Sequence, residues 1–117
     1  MPPREPRALL EDALEQAEDL IAKSRSHTLD RLLADRDLQA VFERRFEVLG
    51  EALRRLQRAD ASIAARIDGA AQAIEMRNFI AHGYDGVDHR ILWSTTVIDL
   101  PPLPESILRV LSETGAS

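Results

Sequence analysis

Ser94-Thr95-Thr96-Val97-Ile98 decides the fold class of this 117-residue chain. On propensity alone this run of β-branched residues is a strand. Yet no other stretch of the chain offers a second strand, and a lone strand would have no partner. The run is therefore read as the end of a helix that Asp88 can cap, with Ile91, Leu92, Trp93, Val97 and Ile98 as its apolar positions. With that choice the whole chain becomes all-α.

Working back from it, the remaining segments have helical period. Residues 6 to 24 place Leu10, Ala13, Leu14, Ala17, Leu20 and Ile21 on one stripe, and Thr28 is an N-cap candidate for a short helix or turn through Leu29, Leu32 and Leu33. From Asp35 to about Gln57 a second stripe runs through Leu38, Val41, Phe42, Leu49, Ala52, Leu53 and Leu56. Gly50 lies inside it, where glycine costs roughly 1 kcal/mol against alanine, so close backbone packing is expected there. A third helix is expected from Asp60 or Ser62, with Ile63, Ile67, Ala70, Ala71, Ile74, Asn78 and Ala81 along one side. Gly83 and Gly86 suit a stop and a turn. Downstream, Leu100-Pro101-Pro102-Leu103-Pro104 predicts a break, followed by a short helix over 106–112. The expected architecture is a small up-and-down bundle of four to five helices forming one domain over residues 1–117.

Composition narrows the function. The chain has no cysteine, which excludes a thiolate nucleophile and a cysteine-ligated zinc. A net charge of −5 argues against nucleic-acid binding by bulk positive charge, but not against a local basic site. Residues 5 to 19 carry six acids, whereas Arg44, Arg45, Arg54, Arg55, Arg58 and Arg66 cluster further on. No signal peptide or membrane span is visible, so a cytoplasmic protein without membrane association is expected.

Site chemistry concentrates in Arg77-Asn78-Phe79-Ile80-Ala81-His82-Gly83-Tyr84. Asn78 and His82, four apart, would be neighbours on a helix, where the amide can orient the imidazole. Arg77 and Tyr84 are seven apart and would share a face if the helix runs that far. An imidazole that takes a proton and a guanidinium that neutralises phosphate charge suit RNA cleavage by transesterification. His82 would deprotonate the ribose 2′-hydroxyl, and Arg77 would stabilise the charge building on phosphorus. Tyr84, water or His82 of a second subunit would return the proton. No metal or cofactor is required. Plainer readings stand beside these: a surface ion pair for Arg77, a buried amide tying helices for Asn78, and helix-end packing for Tyr84. His27 and His89 are assigned to solvent or capping roles, and Trp93 to the core.

The order Arg77, four residues, His82, one residue, Tyr84 resembles the Arg-x4-His-x-Tyr signature of the HepT-like toxins of the HEPN superfamily. The run from Asp37 to Val48-Leu49-Gly50-Glu51-Ala52 is similar to that family's second helix. Met76 to Asp88 is similar to its active-site helix and turn, while Trp93 and Asp99-Leu100-Pro101 fall at matching places. The resemblance covers about 8–112, which it implies as the core of the domain, and the connection 57–63 is shorter than in many of those proteins. The resemblance implies a homodimeric, metal-independent ribonuclease toxin in which Arg77 and His82 are the catalytic pair and Asn78 supports them. It also implies a nucleotidyltransferase antitoxin of the MntA type that transfers AMP from ATP to Tyr84. Arg44, Arg45 and Arg54 are expected RNA contacts if they border the cleft. The alternative is a binding module, a non-catalytic partner or substrate-presenting subunit of a nucleotidyltransferase.

Overall fold

α3, Arg36–Ala59, is the spine of the molecule, and its pattern explains why. Leu38, Phe42, Phe46, Leu49, Leu53 and Leu56 recur at three- and four-residue spacing and are buried, which requires neighbours along nearly the whole helix. α1, Pro6–Ser26, lies along one flank and presents Leu9, Leu10, Ala13, Ala17, Leu20 and Ile21 to the same core. α5, Ala70–Ala81, lies along another. α2, Leu29–Ala34, α4, Ala61–Ala64, and α6, His89–Ser94, are short, and α7, Pro102–Gly115, packs on α1. The computed structural model describes residues 6–83 and 86–115. Among these every regular element is helical, and no helix is long and apolar enough to cross a membrane.

The starts of the helices follow from their capping side chains. Thr28 accepts from the Arg31 N–H at 3.1 Å, Asp35 from the N–H groups of Asp37 and Leu38, and Asp60 from that of Ile63. The Leu38 N–H bond is the main reason that the Asp35 carboxyl titrates below its ordinary value. For Asp60 the main cause is the Ser62 hydroxyl, 2.6 Å away. His27, one residue past α1, holds the Lys23 carbonyl at 2.9 Å through Nδ1 and so does cap a helix end.

The β-branched run is helical, with a modification that the period does not announce. α6 continues into a π-helical turn over Thr95–Asp99, closed by the Leu100 N–H on the Thr95 carbonyl at 3.1 Å. Thr96 is fully buried because its hydroxyl donates to the Leu92 carbonyl at 2.9 Å. Trp93 is partly buried and packs on Phe42, ring centres 6.2 Å apart.

Two boundaries differ from expectation. The third helix does not run unbroken from Asp60: α4 ends at Ala64, and α5 starts only after Gly69, whose φ is +84°. A Cβ on Gly69 would stand 2.6 Å from the Asp99 carbonyl oxygen, so glycine serves both the dihedral and the close approach. The break resets the register. Ala70, Ala73 and Met76 face inward, while Ala71, Asn78 and Ala81 are exposed. The last helix, in turn, begins four residues before the expected start. Pro102 and Pro104 lie within its first turn, where no N–H is needed for an intrahelical bond. Ser106 then accepts from the Asp68 N–H at 3.0 Å and donates to the Leu103 carbonyl at 2.9 Å, joining the break to α7.

Candidate active site

Arg77 reaches its position because residue 50 has no side chain. A Cβ on Gly50 would overlap Arg77 Cβ and stand 2.8 Å from Cγ and 3.1 Å from the Ala73 carbonyl oxygen. α3 and α5 therefore meet at backbone distance, and the arginine leaves the contact along α3. Its Nη2 donates to Glu51 Oε2 at 3.0 Å and its Nη1 to Asn78 Oδ1 at 3.1 Å. The other oxygen of Glu51 accepts from Arg55 Nε at 3.1 Å. The expected close packing at Gly50 is thus present, and its purpose is to seat the guanidinium.

That guanidinium lines a cleft of about 290 Å³ with Leu9 and Asp12 of α1 and Arg44, Glu47, Glu51 and Arg55 of α3. Three arginines and three carboxylates share it. The sequence pattern separated an acidic α1 from a basic α3; folding brings the two together. Arg44 is exposed, lines this cleft and has no ion pair among the described residues. Arg45 points elsewhere. Its Nε pairs with Asp19 at 2.9 Å and its Nη1 donates to Gln16 at 3.3 Å, in a groove also lined by Glu11, Glu15 and Glu18. A phosphate would meet four carboxylates there. Arg54 is exposed on α3 outside the cleft.

His82 is the C-cap of α5, exposed, with its N–H on the Asn78 carbonyl at 3.0 Å. The five residues from Arg77 turn it about 140° around the helix axis. It is not among the cleft-lining residues, so the imidazole and the guanidinium do not enter the same cavity within one chain. Asn78 also departs from expectation. It is exposed, and its side-chain oxygen accepts from the Arg77 guanidinium rather than from the imidazole. The helix ends at Ala81. Tyr84 itself lies outside the described residues. Beyond the end, the Gly86 N–H bonds the Gly83 carbonyl at 3.0 Å and Gly86 has a φ of +97°, in line with the expected stop.

Two residues gain roles that the sequence reading missed. Glu51 holds Arg77, and the available signal was its place beside Gly50, one position past the close contact. His89 is neither solvent-facing nor a cap. It is partly buried, and its Nε2 lies 2.9 Å from Glu43 Oε2, tying α6 to α3. Nothing in local spacing relates residues 46 positions apart.

On the outer side of α5, Phe79 and Ile91 are 41% and 47% exposed and line a groove of about 200 Å³ with Met76 and Thr95, edged by Gln72, Glu75 and Asp99. Ile98 is 68% exposed nearby in sequence, on the π-helical turn. This apolar surface adjoins the helix face that carries His82, since Phe79 precedes it by one turn.

Residues 10–110 match the family model described as Ribonuclease HepT-like. A candidate RNase of Caldanaerobacter subterraneus subsp. tengcongensis is 29% identical over 108 residues, covering 92% of this chain and 96% of that protein. A candidate RNase of Methanocaldococcus jannaschii is 30% identical, with 86% and 83% covered. A protein of Thermococcus cleftensis named as a candidate ribonuclease HepT is 32% identical, with 80% and 84% covered. No solved structure matches the chain.

Proposed function

We propose, from the premise that this chain belongs to the HepT-like ribonuclease family and is a ribonuclease of it, that it cuts RNA at a site assembled by two copies of the chain. The observation that carries this reading is the seat of Arg77: a stem packed at Cβ and Cγ against Gly50, and a guanidinium held by Glu51 and Asn78 that lines a solvent-open cleft. Arg77 neutralises the charge that builds on phosphorus as the 2′-hydroxyl attacks, and His82 removes the hydroxyl proton. Within one chain these groups face different sides of α5. A twofold arrangement through the surface of Phe79 and Ile91 would bring two copies of the His82 edge together. The second imidazole then serves as the acid for the leaving oxygen. Asn78 supports Arg77 by orienting it, and Arg44 contacts the RNA backbone.

The same reading makes the protein a toxin restrained by a nucleotidyltransferase antitoxin that adds AMP to Tyr84. Phosphate beside Arg77 and His82 would block the site and repel RNA. A cytoplasmic location follows from that substrate and partner.

The test is cleavage of RNA in the presence of a chelator by the purified protein free of any partner. Arg77→Ala and His82→Ala are each expected to lower the rate by about 10²–10³-fold, as loss of a charge stabiliser or a general base does. Activity that survives both substitutions overturns the assignment. Failure of every form to cut favours the non-catalytic partner instead. Mass spectrometry after incubation with the candidate nucleotidyltransferase and ATP tests Tyr84, and a peptide that gains no AMP removes that step.

A further inference from the structure

Arg55 shares the Arg77 cleft and has no role in the reaction described above. It stands one turn after Glu51 on α3, and a Glu–Arg pair at that spacing is by itself ordinary. What sets this one apart is that the same carboxylate also holds a guanidinium from another helix: Oε1 accepts from Arg55 Nε at 3.1 Å and Oε2 from Arg77 Nη2 at 3.0 Å. Two atoms bonded to the two oxygens of one carboxylate are confined to within a few ångströms of each other. Arg55 is bound only through Nε, which leaves both of its terminal nitrogens without a partner among the described residues, and its side chain is 54% exposed. A planar fork with two free ends turned into a solvent-open cleft matches phosphate geometry.

We infer that Arg55 is a second phosphate ligand, binding the RNA phosphate next to the one cleaved, and that Glu51 is the positioning residue that sets Arg55 and Arg77 side by side. This rests on the ribonuclease reading, with Arg77 at the scissile phosphate. Glu51 needs no contact with RNA. Its part is to keep two long side chains from sampling rotamers that miss the strand, a cost otherwise met on binding.

The test measures binding of single-stranded RNA across a salt series by the His82→Ala protein, so that the strand stays intact. Arg55→Ala is expected to weaken binding several-fold and to flatten the dependence of log K on log salt by about 0.7, the value of one phosphate contact on a single strand. Arg58→Ala, which removes the same charge from an exposed position on α3 outside the cleft, is the control. In a Glu51→Gln background the loss on replacing Arg55 should shrink, since an arginine no longer held in place contributes less. If Arg55→Ala changes the slope no more than Arg58→Ala does, the subsite is wrong. An undiminished loss without Glu51 removes the positioning role. Should Arg55→Ala fail to fold, Arg55→Gln keeps the stem and tests the same slope. His82-dependent cleavage with an unaltered slope would overturn this subsite alone; a flattened slope in a protein that never cuts RNA would leave Arg55 a phosphate ligand but overturn the nuclease reading and, with it, the place of that phosphate beside a cleaved one.

Discussion

Arg77 shows how much of a site's chemistry depends on neighbours that a motif does not contain. Its five donors are partly committed, to Glu51 and to Asn78, and those commitments aim the remainder. The motif residues stand out in the sequence as candidates because a cation, an amide and an imidazole crowd into a few positions. The partners do not. Glu51 lies 26 positions away, and spacing does not decide that Asn78 turns toward Arg77. Asp35 and Asp60 behave more locally, and their acid dependence follows directly. Both carboxyls titrate below the ordinary 3.8 because N–H and hydroxyl donors favour the charged form. A depressed folded pKa means that their stabilising effect is complete above about the unfolded value and disappears as pH falls through the lower, folded one. Asp35→Ser keeps a capping oxygen but cannot titrate in that range. Acid titrations followed by circular dichroism should therefore show a shallower loss of helicity below pH 3.8 for the serine variant than for the parent.

At the scale of the element, α5 is defined by two glycines for different reasons. Gly69 starts it with a left-handed residue against the Asp99 carbonyl, and Gly50 of α3 lets it approach at Arg77. Gly50→Ala tests the second contact. Removing glycine from a helix interior would ordinarily add roughly 0.5–1 kcal/mol. Here the added methyl meets Arg77 Cβ, an atom fixed to the backbone, so α5 must shift; overpacking of this kind costs about 1–3 kcal/mol and wins. The variant should melt at a lower temperature and lose RNA cleavage more than its stability loss explains. An unchanged melting temperature with full activity would refute the seat. The apolar periods and the cap candidates at Thr28, Asp60 and Asp88 made most elements readable from sequence. Their failures have common physics. The break at 65–69 rests on a contact with Asp99, and the early start of α7 rests on proline being harmless in a first turn. The π-helical turn likewise depends on the i→i+5 bond to Thr95, a choice of the backbone that side-chain period does not record.

For the molecule as a whole, the outer side of α5 and α6 carries exposed apolar side chains. Phe79 and Ile91 are exposed there while the core is closed, and a small domain gains from burying such a surface against a second copy. Phe79→Glu combined with Ile91→Glu should convert a dimer to a monomer in sedimentation and abolish cleavage together. The cost to the stability of each chain should be moderate, since each residue already exposes nearly half of its surface. A variant that remains dimeric, or a monomer that still cuts RNA, would refute the two-copy site.

The balance of three guanidiniums against three carboxylates in the Arg77 cleft has a kinetic corollary. A cavity with so little surplus charge cannot draw polyanions in from a distance, so encounter should be slow and depend only weakly on long-range steering. Discrimination then falls to the lifetime of the docked strand, and bystander nucleic acids that fail to engage the arginine forks depart before any bond is broken.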